Sequence, residues 1–240
     1  LQLAPGVDEI EIEAAFASNG SSALVGEPYG VLYGTRWRRN DAGQLLIGSN
    51  GLPLVDPHRG NIGVPYPKWY GGLRNTCTFK GVTLTALLDV RRGGQIWNGT
   101  WARLTRLGIT DETAERDRLY LIEGVKASDG TPNDRQVSAF DYFRTYRGDA
   151  GSYASENSVQ DGSRTRLREL GLSYNLKLKS TKLIQSLDLG IVGKNLLLFT
   201  EYKGIDPETS LTGAGSNIGG FDYFNNPGLK SWIASIKFNF

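Results

Sequence analysis

The residues able to do chemistry are few and scattered. His58 is the only histidine and Cys77 the only cysteine. No site needing two imidazoles, no intrachain disulfide and no cysteine-based zinc centre can be built from them. His58 stands two positions after Asp56, among prolines and glycines that make a turn more often than a catalytic pair. Asp41, Asp56, Asp206 and Glu208 carry the oxygen ligands that calcium takes, but their spacing fits no EF-hand loop. Asp206-Pro207 reads more economically as a turn. There is no Gly-x-Ser-x-Gly elbow, and Gly190-Ile-Val-Gly-Lys-Asn195 lacks the spacing and the Ser/Thr of a phosphate loop. The expectation is a protein with no catalytic residue, no metal and no cofactor: not an enzyme.

The remaining chemistry is aromatic. Trp97, Trp101, Tyr142, Tyr146 and Tyr153 crowd into one long segment. They could stack on a substrate ring, touch a partner protein, or form a small core for that segment, and large loops commonly need the last of these. Charge excludes one class of partner: 27 basic and 25 acidic residues leave +2, with no basic stripe of the kind nucleic acid attracts. No stretch approaches the ~20 apolar residues of a membrane helix. A membrane barrel escapes that criterion, because each crossing needs only ~10 alternating residues. With no methionine and no signal peptide at the start, Leu1 reads as an internal position of a longer precursor.

The elements that must position these residues are strands. Over 230–240, Trp232, Ala234, Ile236, Phe238 and Phe240 alternate with Ser231, Ile233, Ser235, Lys237 and Asn239. Aromatics at both ends of the apolar face suit two lipid–water interfaces. The same period recurs at 168–176, 186–195, 82–90 and 73–80, where Cys77 shares the Leu73/Phe79 face as a small lipid- or core-facing residue. It recurs at 31–38, and more weakly at 9–17 and 44–48. Roughly eight strands are expected in one sheet without a domain boundary. A short helix is expected near 110–120, with Asp111 as its cap.

The connections are unequal. Lys80-Gly81 is a tight turn and 177–185 a short polar link, whereas about seventy residues lie between 92 and 164 and about thirty between 197 and 229. Compact domains rarely separate paired strands so widely. Outer-membrane barrels do, with short periplasmic turns and long outer loops. On that pattern both long loops are extracellular and Phe240 is periplasmic. Strand parity then turns Thr83, Thr85, Asp89, Glu169, Ser173, Lys237 and Asn239 toward the lumen.

A set of motifs adds a family to this reading. Gly26-Glu-Pro-Tyr-Gly-Val-Leu-Tyr-Gly34, Arg39-Asn-Asp-Ala-Gly43, Asn50-Gly-Leu-Pro53 and Ile62-Gly-Val-Pro-Tyr-Pro67 occur in order. They are followed by Trp69-Tyr-Gly-Gly72, Phe79-Lys80, Gly93-Gly-Gln-Ile-Trp-Asn98 and Arg166-Leu-Arg-Glu-Leu-Gly-Leu-Ser-Tyr174. Gly193-Lys-Asn-Leu196, Tyr202-Lys-Gly-Ile-Asp-Pro-Glu208 and the aromatic end complete the series. In order and spacing they resemble the C-terminal portion of SusC/RagA-type TonB-dependent outer-membrane receptors of Bacteroidetes-like bacteria. The third residue group from the end departs slightly, with Lys194 where the family carries arginine.

The resemblance implies an all-β fold: antiparallel strands from the C-terminal part of a transmembrane β-barrel of ~22 strands, with long extracellular loops. Residues 1–240 would be one segment of that barrel, without its plug domain and N-terminal strands. It implies import of glycans or peptides with a SusD-like surface lipoprotein, powered by TonB through the missing N-terminal region. Outer-membrane lipid and the remainder of the barrel would complete the partners, since open edges cannot stay unpaired in lipid. Trp232, Phe238 and Phe240 would be the signal that barrel-assembly machinery captures by strand pairing. The same aromatics also fit an ordinary last strand. Two rival functions are a soluble all-β module that binds glycans at the surface and an outer-membrane adhesin.

Overall fold

The computed structural model describes residues 1–16, 19–178, 183–212, 216 and 218–240. Along the chain come β1 (Glu9–Phe16), β2 (Asn19–Leu24), β3 (Val31–Gly34), β4 (Leu46–Ile47) and β5 (Gly60–Gly63). The hairpin β6 (Pro67–Phe79) and β7 (Val82–Gly93) leads to β8 (Gln95–Asn98) and the helix α1 (Gly99–Arg106). Short strands follow: β9 (Leu119–Leu121), β10 (Val125–Lys126), β11 (Gln136–Ser138) and β12 (Val159–Asp161). Then come β13 (Arg164–Lys177), β14 (Ser186–Thr200), β15 (Phe221–Asp222) and β16 (Ser231–Asn239). The fold is all-β. It sorts into two compact units, one of residues 67–93, 162–202 and 227–240, the other of residues 1–66, 94–161 and 203–226.

The first unit is a single antiparallel sheet in the order β16-β14-β13-β7-β6. Its long strands are those with clean alternation, so each has one apolar and one polar face to offer. The β6–β7 turn fits its residues closely: Lys80 and Gly81 both have positive φ, 47° and 86°, as a two-residue turn matched to strand twist requires. A Cβ on Gly81 would lie 3.1 Å from the Asn175 carbonyl oxygen. Gly81→Ala is therefore expected to cost about 1–2 kcal/mol, read as a lowered urea midpoint of the intact protein, with Lys80→Gly tolerated. Of the 177–185 link, residues 179–182 lie outside the described residues.

The second unit contains the remaining sheets, and here the expectation of about eight strands in one sheet is corrected. β1, β2, β3 and β5 form a separate four-stranded sheet, and only five strands make the long one. The reason is burial. β3 is buried on both faces, Leu32 and Tyr33 alike, which suits the inside of a compact unit and not a wall with one wet face. The strand expected over 31–38 ends at Gly34, Trp37 being joined to Val55 by an isolated bridge. The segment 44–48 yields only β4, paired in parallel with β10.

The helix expected at 110–120 lies elsewhere. Only a 3-10 turn, Asp111–Thr113, forms there, with Thr110 at its N-cap making no side-chain cap bond. The run Ala114-Glu-Arg-Asp-Arg118 has no apolar stripe to bury. α1 starts earlier, where the Asn98 side chain accepts the Trp101 N–H at 2.8 Å. β8 pairs antiparallel with β12, Gln95 opposite Asp161, so the segment 94–161 closes on its own beginning.

Candidate functional site

Cross-strand register decides which side chains share a face, because residues directly opposite lie on the same side and the side alternates along each strand. Ser173 stands opposite Thr83, and Gly171 opposite Thr85. Glu169 stands opposite Lys194, while Lys237 and Asn239 stand opposite Asp188 and Ser186. Asp89 stands opposite Arg166. All seven residues read as lumen-facing from parity thus fall on one face of the five-stranded sheet.

That face is laced with polar contacts. The Thr78 and Thr83 hydroxyls lie 3.0 Å apart. Arg74 reaches Glu169 at 3.5 Å, and Arg168 grips Asp89 through Nε at 3.0 Å and Nη2 at 2.6 Å. Near the β16 end, Asn239 Nδ2 donates to Ser186 Oγ at 2.9 Å and to Asp188 Oδ2 at 3.0 Å, while Asn175 Nδ2 donates to Asp188 Oδ1. Asp188 is the hub that ties the last strand into the sheet. Asn239→Ala removes one hydrogen bond to a charged group and one to a hydroxyl, and is expected to cost about 2–4 kcal/mol. Chemical denaturation of the purified protein checks it, and Ser235→Ala on the same strand, a small change on the same face, serves as the reference.

Sequence reasoning missed Asp188, Asn175, Arg168 and Arg74. Alternation put Asp188 on a face, but only pairing brings it to Asn239. Arg168 was unreadable for a different reason: the register shifts between Leu167 and Glu169, a bulge that lets Arg166 rejoin the polar face. Asn195, opposite that irregularity on β14, has a φ of 53°, a conformation asparagine tolerates better than most residues.

The other face of the sheet is apolar and uncovered. Leu73, Phe79, Leu84, Leu172, Ile191 and Ile236 are all exposed. Trp232, Phe238 and Phe240 are 66%, 51% and 74% exposed, far beyond what a packed last strand would show. Cys77, opposite Leu84, shares this face and is exposed too.

Three of the five loop aromatics join two cores of the second unit: Trp97 one of them, Tyr142 and Tyr146 the other. Trp97 is buried with Leu32, Ile218 and Phe221. Tyr142 stacks on Tyr120 at 4.2 Å, and Tyr146 lies 5.8 Å from Trp37. Burial raises the hydroxyl pKa of Tyr142 and of Tyr146. Tyr33 is raised for the same reason, and by donating its hydroxyl proton to Glu9. Trp101 Nε1 donates to Glu112 Oε1 at 3.2 Å, and Lys203 Nζ sits 5.1 Å from the centre of its ring. The Tyr153 carbonyl accepts the Thr35 hydroxyl at 3.4 Å. The acidic candidates make turns: Asp56 Oδ1 accepts the His58 N–H at 2.9 Å, and Asp206 Oδ1 the Glu208 N–H at 2.9 Å. Among the described residues no group of three or more His, Cys, Asp or Glu could hold a metal, and no helix is long and apolar enough to cross a membrane.

Comparison with known proteins points one way. No family model matches the chain. It is 27% identical over 203 residues to TonB-dependent receptor P3 of Formosa agariphila, a match covering 81% of the chain and 18% of the receptor. It is 25% identical over 240 residues to TonB-dependent receptor P26 of the same organism, covering 89% and 22%. The chain thus spans about a fifth of the length of the curated relatives it matches. Among solved structures, the RagAB peptide importer in its open-open state superposes with a TM-score of 0.65 at 17% identity, over 100% of this chain and 25% of the importer chain. Its closed-closed state gives 0.59 over 98% of the chain. The resemblance to part of a SusC/RagA-type TonB-dependent receptor, read from ordered motifs, is borne out.

Proposed function

We propose, from a chain that matches part of a SusC/RagA-type TonB-dependent receptor, that it supplies the C-terminal barrel wall and outer loops of an outer-membrane importer for glycans or peptides. One observation carries this reading: five paired strands present a continuous uncovered apolar face on one side and a hydrogen-bonded polar face on the other. Such a sheet suits neither water nor a soluble core, and lipid on one side with an aqueous lumen on the other satisfies both faces.

The aromatic spacing supports the same reading. Trp69 and Phe79 are ten residues apart on β6, and both lie on the apolar face. At ~3.3 Å per residue and a tilt of ~40°, they are separated by about 25 Å of depth, the height of an outer-membrane apolar band. In this reading the Lys80–Gly81 turn and Phe240 are periplasmic, the long loops are extracellular, and all 240 residues serve one barrel. Thr83, Thr85, Asp89, Glu169, Ser173, Lys237 and Asn239 line the conduit. Trp232, Phe238 and Phe240 guide insertion by the assembly machinery, and a SusD-like lipoprotein covers the outer loops.

The rival, a soluble glycan-binding module, has to leave that apolar face in water. Detergent dependence separates the two: the protein is expected in the outer-membrane fraction, soluble only in detergent, and a monodisperse detergent-free monomer would sink the proposal. Uptake that stops when TonB is deleted separates an importer from an adhesin. The role here is transport, with no catalytic step.

A further inference from the structure

We propose that the second unit carries a binding site for a carboxylate borne on an apolar body, built from Arg116, Arg144, Phe140 and Phe143. A cavity of about 270 Å³ opens where the end of α1 meets the helical turn after β11. Arg106, Arg116 and Arg144 line it together with Leu107, Phe140 and Phe143, and no Asp, Glu, Asn or Gln does. Three guanidiniums around an apolar space with no lining carboxylate form a site for an anion.

The three arginines differ in how they are held. Arg106 is already engaged by Asp149 at 3.5 Å. Arg116 and Arg144 form no ion pair among the described residues, yet both are fixed by neutral partners. Arg116 Nη2 donates to the Gly108 carbonyl at 3.0 Å, and the Arg144 guanidinium lies 5.1 Å from the centre of the Phe140 ring. Both are therefore positioned and unneutralised beside aromatic surface. Phe140 is itself 64% exposed at the cavity, so a ligand can cover it.

The lining discriminates among ligands. A neutral sugar needs acceptors as well as donors for its hydroxyls, and a cavity lined by guanidiniums without carboxylate or amide side chains supplies few acceptors. An apolar acid uses everything present: a planar fork for the carboxylate and two rings for the body. The volume lies just under the ~300–1,000 Å³ range of drug-sized sites, so it admits one ring-sized group and not an extended polymer. A free aromatic acid and the C-terminal residue of a peptide share this chemistry. As an assignment of substrate class the inference rests on the importer reading; as a binding site it stands on the cavity alone.

Calorimetry on the intact protein in detergent tests it, with N-acetylphenylalanine, its amide, phenylpropionate and glucuronate as probes. N-acetylphenylalanine is expected to bind at least about tenfold more tightly than the amide, since only the acid can use a guanidinium. Arg144→Gln and Arg116→Gln should each weaken the acid by about tenfold without weakening the amide. Both side chains are exposed, so folding is expected to survive, and an unchanged melting temperature verifies it. Arg118→Gln, whose guanidinium is 3.0 Å from Glu115 and outside the cavity, should change nothing. Phenylpropionate matching N-acetylphenylalanine assigns the site to free acids, and a weaker phenylpropionate assigns it to peptide ends. Equal affinity for acid and amide, no binding of the acid, or tighter binding of glucuronate overturns the inference. Any of these results in a protein still extracted from the outer membrane leaves the importer reading standing.

Discussion

Trp97→Ala is expected to unfold the second unit while leaving the five-stranded sheet assembled. Trp97 is only 1% exposed and pairs in parallel with Phe221, itself fully buried. Its ring lies 6.0 Å from that of Phe221 and stacks on Tyr223 at 6.3 Å and 14°. The next residue but one, Gly99, has room for no Cβ, because one would come within 2.3 Å of the indole. Removing the indole leaves a cavity between two segments distant in sequence, 94–161 and 203–226. Deletions of this kind cost about 3–5 kcal/mol. Limited proteolysis of the intact protein in detergent is the direct measurement. Cuts should appear within 94–161 and 203–226 at protease levels that spare the wild type, with strands 67–93 and 162–202 still protected. Trp97→Phe should lie between the two. Wild-type resistance in Trp97→Ala would mean that the second unit does not depend on this core.

Leu172→Arg is the second, and it separates two physical environments with one residue. Leu172 is 49% exposed on the apolar face, opposite Leu84. If that face meets water, an arginine there costs almost nothing, within about 0.5 kcal/mol, as for ordinary surface positions. If it meets the middle of a bilayer, the cost is about 2–4 kcal/mol. A matched control sits one row away: Thr85, opposite Gly171, points to the other face at nearly the same depth. Thr85→Arg is expected to cost under about 1 kcal/mol in a water-filled lumen. Urea titration of the protein refolded into liposomes measures both. Equal costs, or the reverse order, would remove the lipid-facing assignment and the barrel with it.

Much of the sheet was legible because each long strand must satisfy two different media and so carries its faces in its sequence. β16 was readable from Trp232 to Asn239 for that reason, and β13, β14, β6 and β7 likewise. The second unit was legible only in part: strands form at 9–16 and 31–34 as alternation predicted, but Val31, Leu32 and Tyr33 are all buried, so a period of two could not tell a strand inside a compact unit from one in the long sheet. α1 was missed because its signal is a cap and not a stripe. Asn98 was read only as part of a motif, whereas its side-chain Oδ1 caps the helix by accepting the Trp101 N–H. Of the polar face, the residues with obvious charge or parity were found. The hub, Asp188, was not, since a carboxylate becomes a hub only when register brings Asn175 and Asn239 to it.

The closure of segment 94–161 on itself bears on how the sheet can form at all. β7 and β13 are neighbours in the sheet although about seventy residues separate them. Joining them through a random coil of that length would cost about 3 kcal/mol more chain entropy than a tight hairpin, and such contacts are slow to find. The Gln95–Asp161 pairing changes the count. Once the excursion has folded, its two ends emerge side by side, and the distance in sequence no longer matters to the strands that follow. A collapsed insertion would act as a short turn, and β13 is then expected to zip onto β7 as though it were the next strand of a meander.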